Sequence, residues 1–156
     1  MRSFTMCCCV VVLAGCAKPE QQAARDSAGG QLAAGATPAT ISLASVAGKW
    51  AMRTMPAGSD SVLTTFDLVA SGDASGWAFN FPQRAPVPIR VIAVAGDSIV
   101  TEAGPYESVL RKGVQVRLNS VMRLQGDKLV GTSVAHYSTS GADSVLQLRT
   151  EGTRAP

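Results

Sequence analysis

The stretch from Val114 to Tyr137 reads VQVRLNSVMRLQGDKLVGTSVAHY and decides the class of fold. Its first half alternates between two faces, with Val114, Val116, Leu118 and Met122 on one and Gln115, Arg117, Asn119 and Arg123 on the other. A period of two residues is typical of a β-strand with one buried face. Gly126-Asp127 in the middle favours a tight turn, because both residues tolerate positive φ angles. The stretch therefore predicts a β-hairpin.

The same turn-then-strand pattern recurs along the chain. An Asp that follows a Gly by one or two residues precedes apolar residues at Asp60, Asp97 and Asp143, and more loosely at Asp73. We predict eight strands joined by short loops, with a single turn over 108–111 as the only helical feature. Their expected ranges are 47–54, 60–70, 75–81, 87–95, 97–103, 114–124, 128–138 and 143–152. The prediction is an all-β, eight-stranded antiparallel up-and-down barrel, with a two-sheet β-sandwich as the alternative.

Residues 1–15 predict a lipoprotein signal peptide. The apolar run from Phe4 to Leu13 follows a basic start and is too short to cross a bilayer, which takes about 20 apolar residues. Leu13-Ala14-Gly15-Cys16 ends this run and resembles the bacterial lipobox. The resemblance implies cleavage before Cys16 and lipidation of its sulfur. With Ala17 directly after the cysteine, it also implies an outer-membrane lipoprotein of the cell envelope that faces the periplasm.

We predict that residues 16–41 form a flexible tether and that residues 42–154 form the barrel domain. The segment from Ala17 to Thr40 has no aromatic residue and one large aliphatic residue, so it buries too little apolar surface to order itself. A marginal helix over 20–25 is the alternative. Loss of the signal peptide and lipidation of Cys16 would use all four cysteines, so no disulfide is expected. The formal net charge of +3 is too balanced for nucleic-acid binding, which needs a clustered basic face.

Gly48-Lys49-Trp50 at the start of the first predicted strand resembles the Gly-x-Trp motif of the lipocalins and their relatives. In that family a basic residue after the last strand packs across the tryptophan and closes one end of the barrel. The resemblance implies this role for Trp50 with either Arg149 or Arg154. A guanidinium over an indole face is a favourable pairing.

The sequence predicts neither an enzyme nor a cofactor. His136 is the only histidine, which excludes a multi-histidine metal site, and no Gly-x-Ser-x-Gly elbow offers it a nucleophile. Glu102 and Glu107 flank a predicted turn and are expected to be solvated. The chain has no phosphate-binding loop, no Cys-x-x-Cys pair and no acidic calcium loop. We therefore expect no metal, no cofactor and no catalytic residue.

The aromatic residues of the third predicted strand are the candidate ligand contacts. Trp77, Phe79 and Phe81 share one face and would form an apolar wall in a hollow barrel, whereas in a packed barrel they only fill the core. Whether the small and polar residues Gly131, Ser133 and Ala135 face inward decides between the two, and the sequence leaves that register open.

Three arginines on the polar strand faces bear on the charge of any ligand. We expect Arg90, Arg117 and Arg123 to face solvent; pointing inward, they would select an anionic ligand.

Two function classes follow from these observations. In the first, a lipid-anchored barrel binds a small apolar or amphipathic ligand at the envelope. In the second, a structural or interaction lipoprotein with a packed core meets an unidentified protein partner there. A hollow interior distinguishes the first from the second.

Overall fold

The computed structural model describes residues 40–156, in which each strand pairs with its neighbours in chain order. The strands are β1 (Gly48–Pro56), β2 (Thr64–Ala70), β3 (Trp77–Asn80), β4 (Val87–Ala95), β5 (Ser98–Glu107), β6 (Gln115–Gln125), β7 (Lys128–Tyr137) and β8 (Val145–Arg154). A short helix, α1 (Leu43–Val46), precedes them, and a 3₁₀ turn (Ala142–Ser144) precedes β8. The predicted signal peptide, Cys16 and nearly all of the predicted tether lie outside the described residues.

The eight strands close into a barrel, which confirms the predicted fold class. Every pairing is antiparallel, and β1 pairs with β2 on one side and with β8 on the other. Trp50, for example, lies opposite Leu68 on β2 and opposite Arg154 on β8. Because closure leaves no strand edge unpaired, the sandwich alternative is wrong.

The two ends of the barrel differ in their connections. Odd-numbered strands run from one end, the floor, to the other end, the mouth. At the floor, Gly96 and Gly126 take φ angles of 55° and 62° in tight Gly-Asp turns, as the sequence predicts. Longer loops connect the strands at the mouth, over 57–63, 81–86, 108–114 and 138–144, and one loop of similar length, over 71–76, connects β2 to β3 at the floor.

Most strand boundaries differ from those predicted by one or two residues, and β2, β3 and β5 show the differences that matter most. β2 begins at Thr64 rather than at residue 60. Arg149 pairs with Asp60, and this contact holds residues 60–63 in the loop between β1 and β2. β3 has only four residues. β5 continues to Glu107 because the register shifts between Ala103 and Tyr106, a bulge that lets the strand pass the Gly-Pro pair that pattern reasoning places in a turn.

The helix α1 was not predicted. Its N-terminus carries a capping box, in which Ser42 and Ser45 each accept a hydrogen bond from the other's backbone N–H. Four residues are too few to show a helical period, so the pattern could not reveal this helix. It buries Val46 at the floor, where the backbone N–H of Ile41 also donates to the carbonyl of Gly96. No helix in the described part of the chain is long and apolar enough to cross a membrane.

The floor half of the interior is solidly packed. Trp50, Leu68, Ile99 and Leu129 are fully buried there, and Trp77 is 2% exposed. These side chains come from five strands and belong to one apolar cluster that is packed without room for water. The mouth half holds a second, smaller cluster, formed by Val116, Ala135, Tyr137 and Leu148.

Candidate functional site

Trp50 and Arg154 lie together at the floor. The guanidinium carbon of Arg154 lies 4.5 Å from the centroid of the Trp50 ring. Arg154 also donates to the carbonyls of Ala47 and Ser45, each at 2.7 Å, while the indole N–H of Trp50 donates to the carbonyl of Val46 at 2.8 Å. The pair therefore ties α1, β1 and β8 together.

Gly48 is required beside this pair for two reasons. Its φ of 129° is one that side-chain-bearing residues rarely adopt, and a Cβ there would lie 2.9 Å from Nη1 of Arg154. The glycine two residues before Trp50 therefore has a physical role, because it makes room for Arg154, which covers the tryptophan ring.

Arg149, the other arginine considered for this role, lies elsewhere. It pairs with Met55 in the register of β1 and β8, near the mouth, and its guanidinium contacts Asp60 and the carbonyl of Ser59. Arg149 precedes Arg154 by five residues on β8, so it lies further along the strand toward the mouth. Of the two arginines, only Arg154 contacts Trp50.

A cavity of about 40 Å³ lies in the mouth half of the barrel interior. A water molecule needs roughly 10–15 Å³ by this measure, so the cavity has room for about three waters. Its walls come from inward-facing residues of most strands and from the loop between β5 and β6. This cavity is the candidate functional site.

One wall of the cavity is aromatic. Phe66 and Phe79 meet edge to face with centroids 5.0 Å apart, and Phe66 and Phe81 lie 5.2 Å apart. Tyr106 extends this wall by stacking with Phe81 at 6.1 Å. Of the three predicted ligand contacts, Phe79 and Phe81 therefore line the cavity.

Trp77 does not line the cavity. It lies lower, in the packed floor half, and its indole N–H donates to the carbonyl of Asp73 at 2.8 Å. Because β3 begins at the floor, its first residue, Trp77, is buried below the cavity. Only Phe79 and Phe81, which follow it along the chain, reach the cavity.

The opposite wall carries hydroxyl groups. Thr54, Ser120, Ser133 and Thr150 are all at most 9% exposed and line the cavity. Ser120 and Ser133 lie opposite each other on β6 and β7, with their hydroxyl oxygens 2.8 Å apart. Ala135 beside them is small and also lines the cavity. The register left open by the sequence thus places Ser133 and Ala135 inward.

The loop Ser108–Val114, which we name the mouth loop, roofs the cavity. Ser108 is buried, and its hydroxyl accepts from the backbone N–H groups of Leu110 and Arg111. This turn points Val109 and Leu110 down onto the cavity. The single helical turn predicted over 108–111 is absent: the backbone turn lies later, where the N–H of Val114 donates to the carbonyl of Arg111 at 3.1 Å.

Few contacts hold the mouth loop on the barrel. The guanidinium carbon of Arg111 lies 4.0 Å from the centroid of the Tyr137 ring, and Arg111 also donates to the carbonyl of Asp143. Gly113 N–H donates to a carboxylate oxygen of Glu107 at 3.1 Å. These contacts lie at the barrel rim, where water competes with them.

The charge environment of the cavity is neutral. Burial, followed by the nearby Tyr137, raises the pKa of Tyr106 to about 12, so its phenol stays protonated. Among the described residues, no Lys, Arg, His, Asp or Glu side chain lines the cavity.

The charged residues singled out in the sequence lie on the outer surface instead. Arg90 pairs with Glu102 at 2.8 Å, and Arg123 lies 3.4 Å from Asp97. Arg117 and His136 are exposed and face each other across β6 and β7. Alternation along each strand sends these side chains outward, away from the cavity.

Comparison with protein-family models, with curated proteins and with solved structures finds no match to the chain. Within residues 40–156, no group of three or more His, Cys, Asp and Glu side chains is placed to hold a metal ion. The geometry of the cavity is therefore the basis for a functional hypothesis.

Sequence reasoning missed most of the cavity lining. Thr54, Ser120 and Thr150 carry no motif, and the alternation of their strands assigns them to a face without saying which hydroxyls meet. The signal that could have found them is their shared face with buried apolar residues, such as Ser120 between Leu118 and Met122.

Proposed function

We propose that the barrel is a small-ligand binding module that a lipid on Cys16 holds at the cell envelope. The observation that carries the ligand-binding proposal is the cavity itself. It combines an aromatic wall with a hydroxyl-bearing wall and a roof that rests on rim contacts. Sites for small molecules are enclosed, mostly apolar and lined by a few placed polar groups, and this cavity has each of those properties.

Ligand uptake requires the mouth loop to move. A volume of about 40 Å³ is too small for a benzene-sized molecule, since a cavity that takes benzene measures about 150 Å³. Raising Val109 and Leu110 would open the cavity toward the mouth without disturbing the packed floor. The Arg111 contacts to Tyr137 and Asp143 are the ones that such opening must break.

The anchor is proposed from the residues Leu13-Ala14-Gly15-Cys16. Residue 41 bonds to the floor turn, so the chain joins the barrel at the floor and the mouth lies at the opposite end. The similarity of Gly48, Trp50 and Arg154 to the lipocalin pattern supports the same ligand-binding class.

A test of ligand binding uses the neutral dye N-phenyl-1-naphthylamine, whose fluorescence rises in apolar surroundings. We expect the purified protein to bind it saturably and Ala135→Leu, which fills the cavity, to abolish binding. Ala93→Leu is the matched control. It is the same substitution, but Ala93 is exposed on the outer face of β4. Arg111→Ala should speed dye uptake by freeing the mouth loop.

Two outcomes would contradict ligand binding. One is equal dye binding by the protein and Ala135→Leu. The other is absence of saturable binding by both the protein and Arg111→Ala while circular dichroism shows both to be folded.

The anchor has its own test. Cys16→Ser should prevent lipidation and either release soluble protein or leave unprocessed precursor, as seen by membrane fractionation and electrophoretic mobility. Unchanged processing and unchanged membrane retention of Cys16→Ser would contradict the lipid anchor.

The second candidate function is a structural or interaction lipoprotein with a protein partner in the envelope. The observation that favours it is the small cavity volume together with the solid floor half. Failure of both the protein and Arg111→Ala to bind the dye would support this candidate over the first.

A further inference from the structure

The hydroxyl groups of the cavity wall belong to a row that spans six of the eight strands and is interrupted between β7 and β8. Thr64, Thr54 and Thr150 lie opposite one another on β2, β1 and β8. On the next strands, Ser133 lies opposite Ser120, and Ser120 lies opposite Thr101. We name these six residues the hydroxyl belt.

Gly131 leaves a gap in the hydroxyl belt. It lies opposite Thr150 on β7, and a Cβ there would lie 2.7 Å from the carbonyl oxygen of Val121 and 3.3 Å from the Thr150 hydroxyl oxygen. The strands pack too closely at this position for a side chain, so no hydroxyl of β7 lies directly opposite Thr150.

Three members of the belt lack partners. In the described residues the hydroxyls of Thr54, Thr101 and Thr150 make no side-chain hydrogen bond, whereas Ser120 and Ser133 bond each other, and of the three only Thr54 and Thr150 line the cavity. Within the same range, Asn80 Oδ1 is the one buried side-chain oxygen or nitrogen that is both fully enclosed and unpartnered. The Thr54 and Thr150 oxygens therefore keep surface open to the cavity.

An unpartnered hydroxyl in an apolar enclosure is unfavourable until a polar group bonds to it. Both threonines are at least nine-tenths buried, and each can donate one hydrogen bond and accept others. The aromatic wall of Phe66, Phe79 and Phe81 adjoins them, because Phe66 lies on β2, the strand paired with β1. The site thus offers hydrogen bonds beside an apolar surface.

The same site disfavours a charged ligand. No cationic side chain among the described residues lines the cavity, and the Tyr106 phenol is protonated at neutral pH. A carboxylate or ammonium group bound here would lose its hydration without gaining an opposite charge.

We infer that the ligand is a small uncharged molecule with a hydroxyl or carbonyl group, which bonds to Thr54 and Thr150 while its apolar part packs on the aromatic wall. This inference rests on the proposed ligand-binding function. Arg90, Arg117 and Arg123 are exposed on the outer face, as expected from the sequence, so none of them reaches the cavity to select an anionic ligand.

The test compares 1-hexanol with hexanoate as competitors of bound N-phenyl-1-naphthylamine at pH 7. These probes share a six-carbon chain and differ in charge. We expect 1-hexanol to displace the dye and hexanoate to be at least about 100-fold weaker, because its carboxylate has no cation to meet. The double variant Thr54→Val/Thr150→Val should weaken 1-hexanol by about 2- to 10-fold per lost hydrogen bond and leave dye affinity the same or higher.

The matched control is Thr132→Val/Thr153→Val, since both threonines are exposed on neighbouring strands. It should leave both competitors unchanged. Equal displacement by hexanoate and 1-hexanol, or unchanged 1-hexanol affinity in the Thr54/Thr150 variant, overturns the inference while dye binding still supports the proposed function. Absence of dye binding by the protein and by Arg111→Ala overturns both.

Discussion

The floor and mouth halves of this barrel are built from the same eight strands but packed in different ways. At the floor, large apolar side chains fill the interior, and the Trp50–Arg154 pair joins a helix to the first and last strands. At the mouth, hydroxyl and small side chains leave a cavity under a loop that rim contacts hold down. The comparison shows how one closed sheet can separate a region that stabilises the fold from a region with space for a ligand.

The largest expected effect lies at the floor. Trp50→Ala removes a fully buried indole from the packed half and should cost about 3–5 kcal/mol of the free energy of unfolding, measured by urea denaturation. That is a large share of the roughly 5–15 kcal/mol available to a domain of ordinary stability. In the unsubstituted protein, acrylamide should quench tryptophan fluorescence weakly, because both indoles are buried. Strong quenching, or a loss below about 1 kcal/mol, would contradict the packed floor.

A matched pair of leucines compares the two halves directly. Leu129→Ala at the floor should cost about 3–5 kcal/mol, and Leu148→Ala beside the cavity about 2–3 kcal/mol, because the mouth loop can settle into the new space. Both free energies come from urea denaturation under identical conditions. A larger loss for Leu148→Ala would reverse our assignment of the rigid half.

The two candidate arginines of β8 give a smaller difference. Arg154→Ala removes the contact with Trp50 and two hydrogen bonds to carbonyls, so we expect a loss of about 1–2 kcal/mol. Arg149→Ala removes an ion pair with the exposed Asp60 and should cost about 0–1 kcal/mol.

A double-mutant cycle separates their roles. Arg154→Ala should be non-additive with Trp50→Ala because the two side chains touch, whereas Arg149→Ala should be additive with it. Additivity for both arginines would mean that the Trp50–Arg154 contact contributes nothing to stability.

The smallest effect at neutral pH concerns Tyr106 at the mouth. Its pKa is raised to about 12 by burial, so above pH 10 the folded protein keeps a proton that the unfolded chain releases. Stability from this group is therefore complete below pH 10 and falls as the pH rises toward 12. Tyr106→Phe should remove that part of the decline and abolish a tyrosine titration near pH 12 in ultraviolet absorbance. A titration near pH 10 that disappears in Tyr106→Phe would show a solvated phenol.

The sequence by itself determined the all-β class and the position of most strands. Alternation in the β6–β7 hairpin and the Gly-Asp turns at Asp97 and Asp127 are local signals, since each depends on residues that are neighbours along the chain. The Gly48-Lys49-Trp50 motif likewise marked the residues that meet at the floor. The helix α1 escaped notice because four residues show no period.

Tertiary structure alone decided closure, register and the cavity. Whether β1 meets β8, and whether Arg154 or Arg149 meets Trp50, depends on contacts between residues about a hundred positions apart. The hydroxyl belt exists only in the register that brings Thr54 beside Thr150 and Ser120 beside Ser133. A shift of one residue would turn those side chains to solvent, which is why the alternation fixes two faces and only the packed barrel selects the inner one.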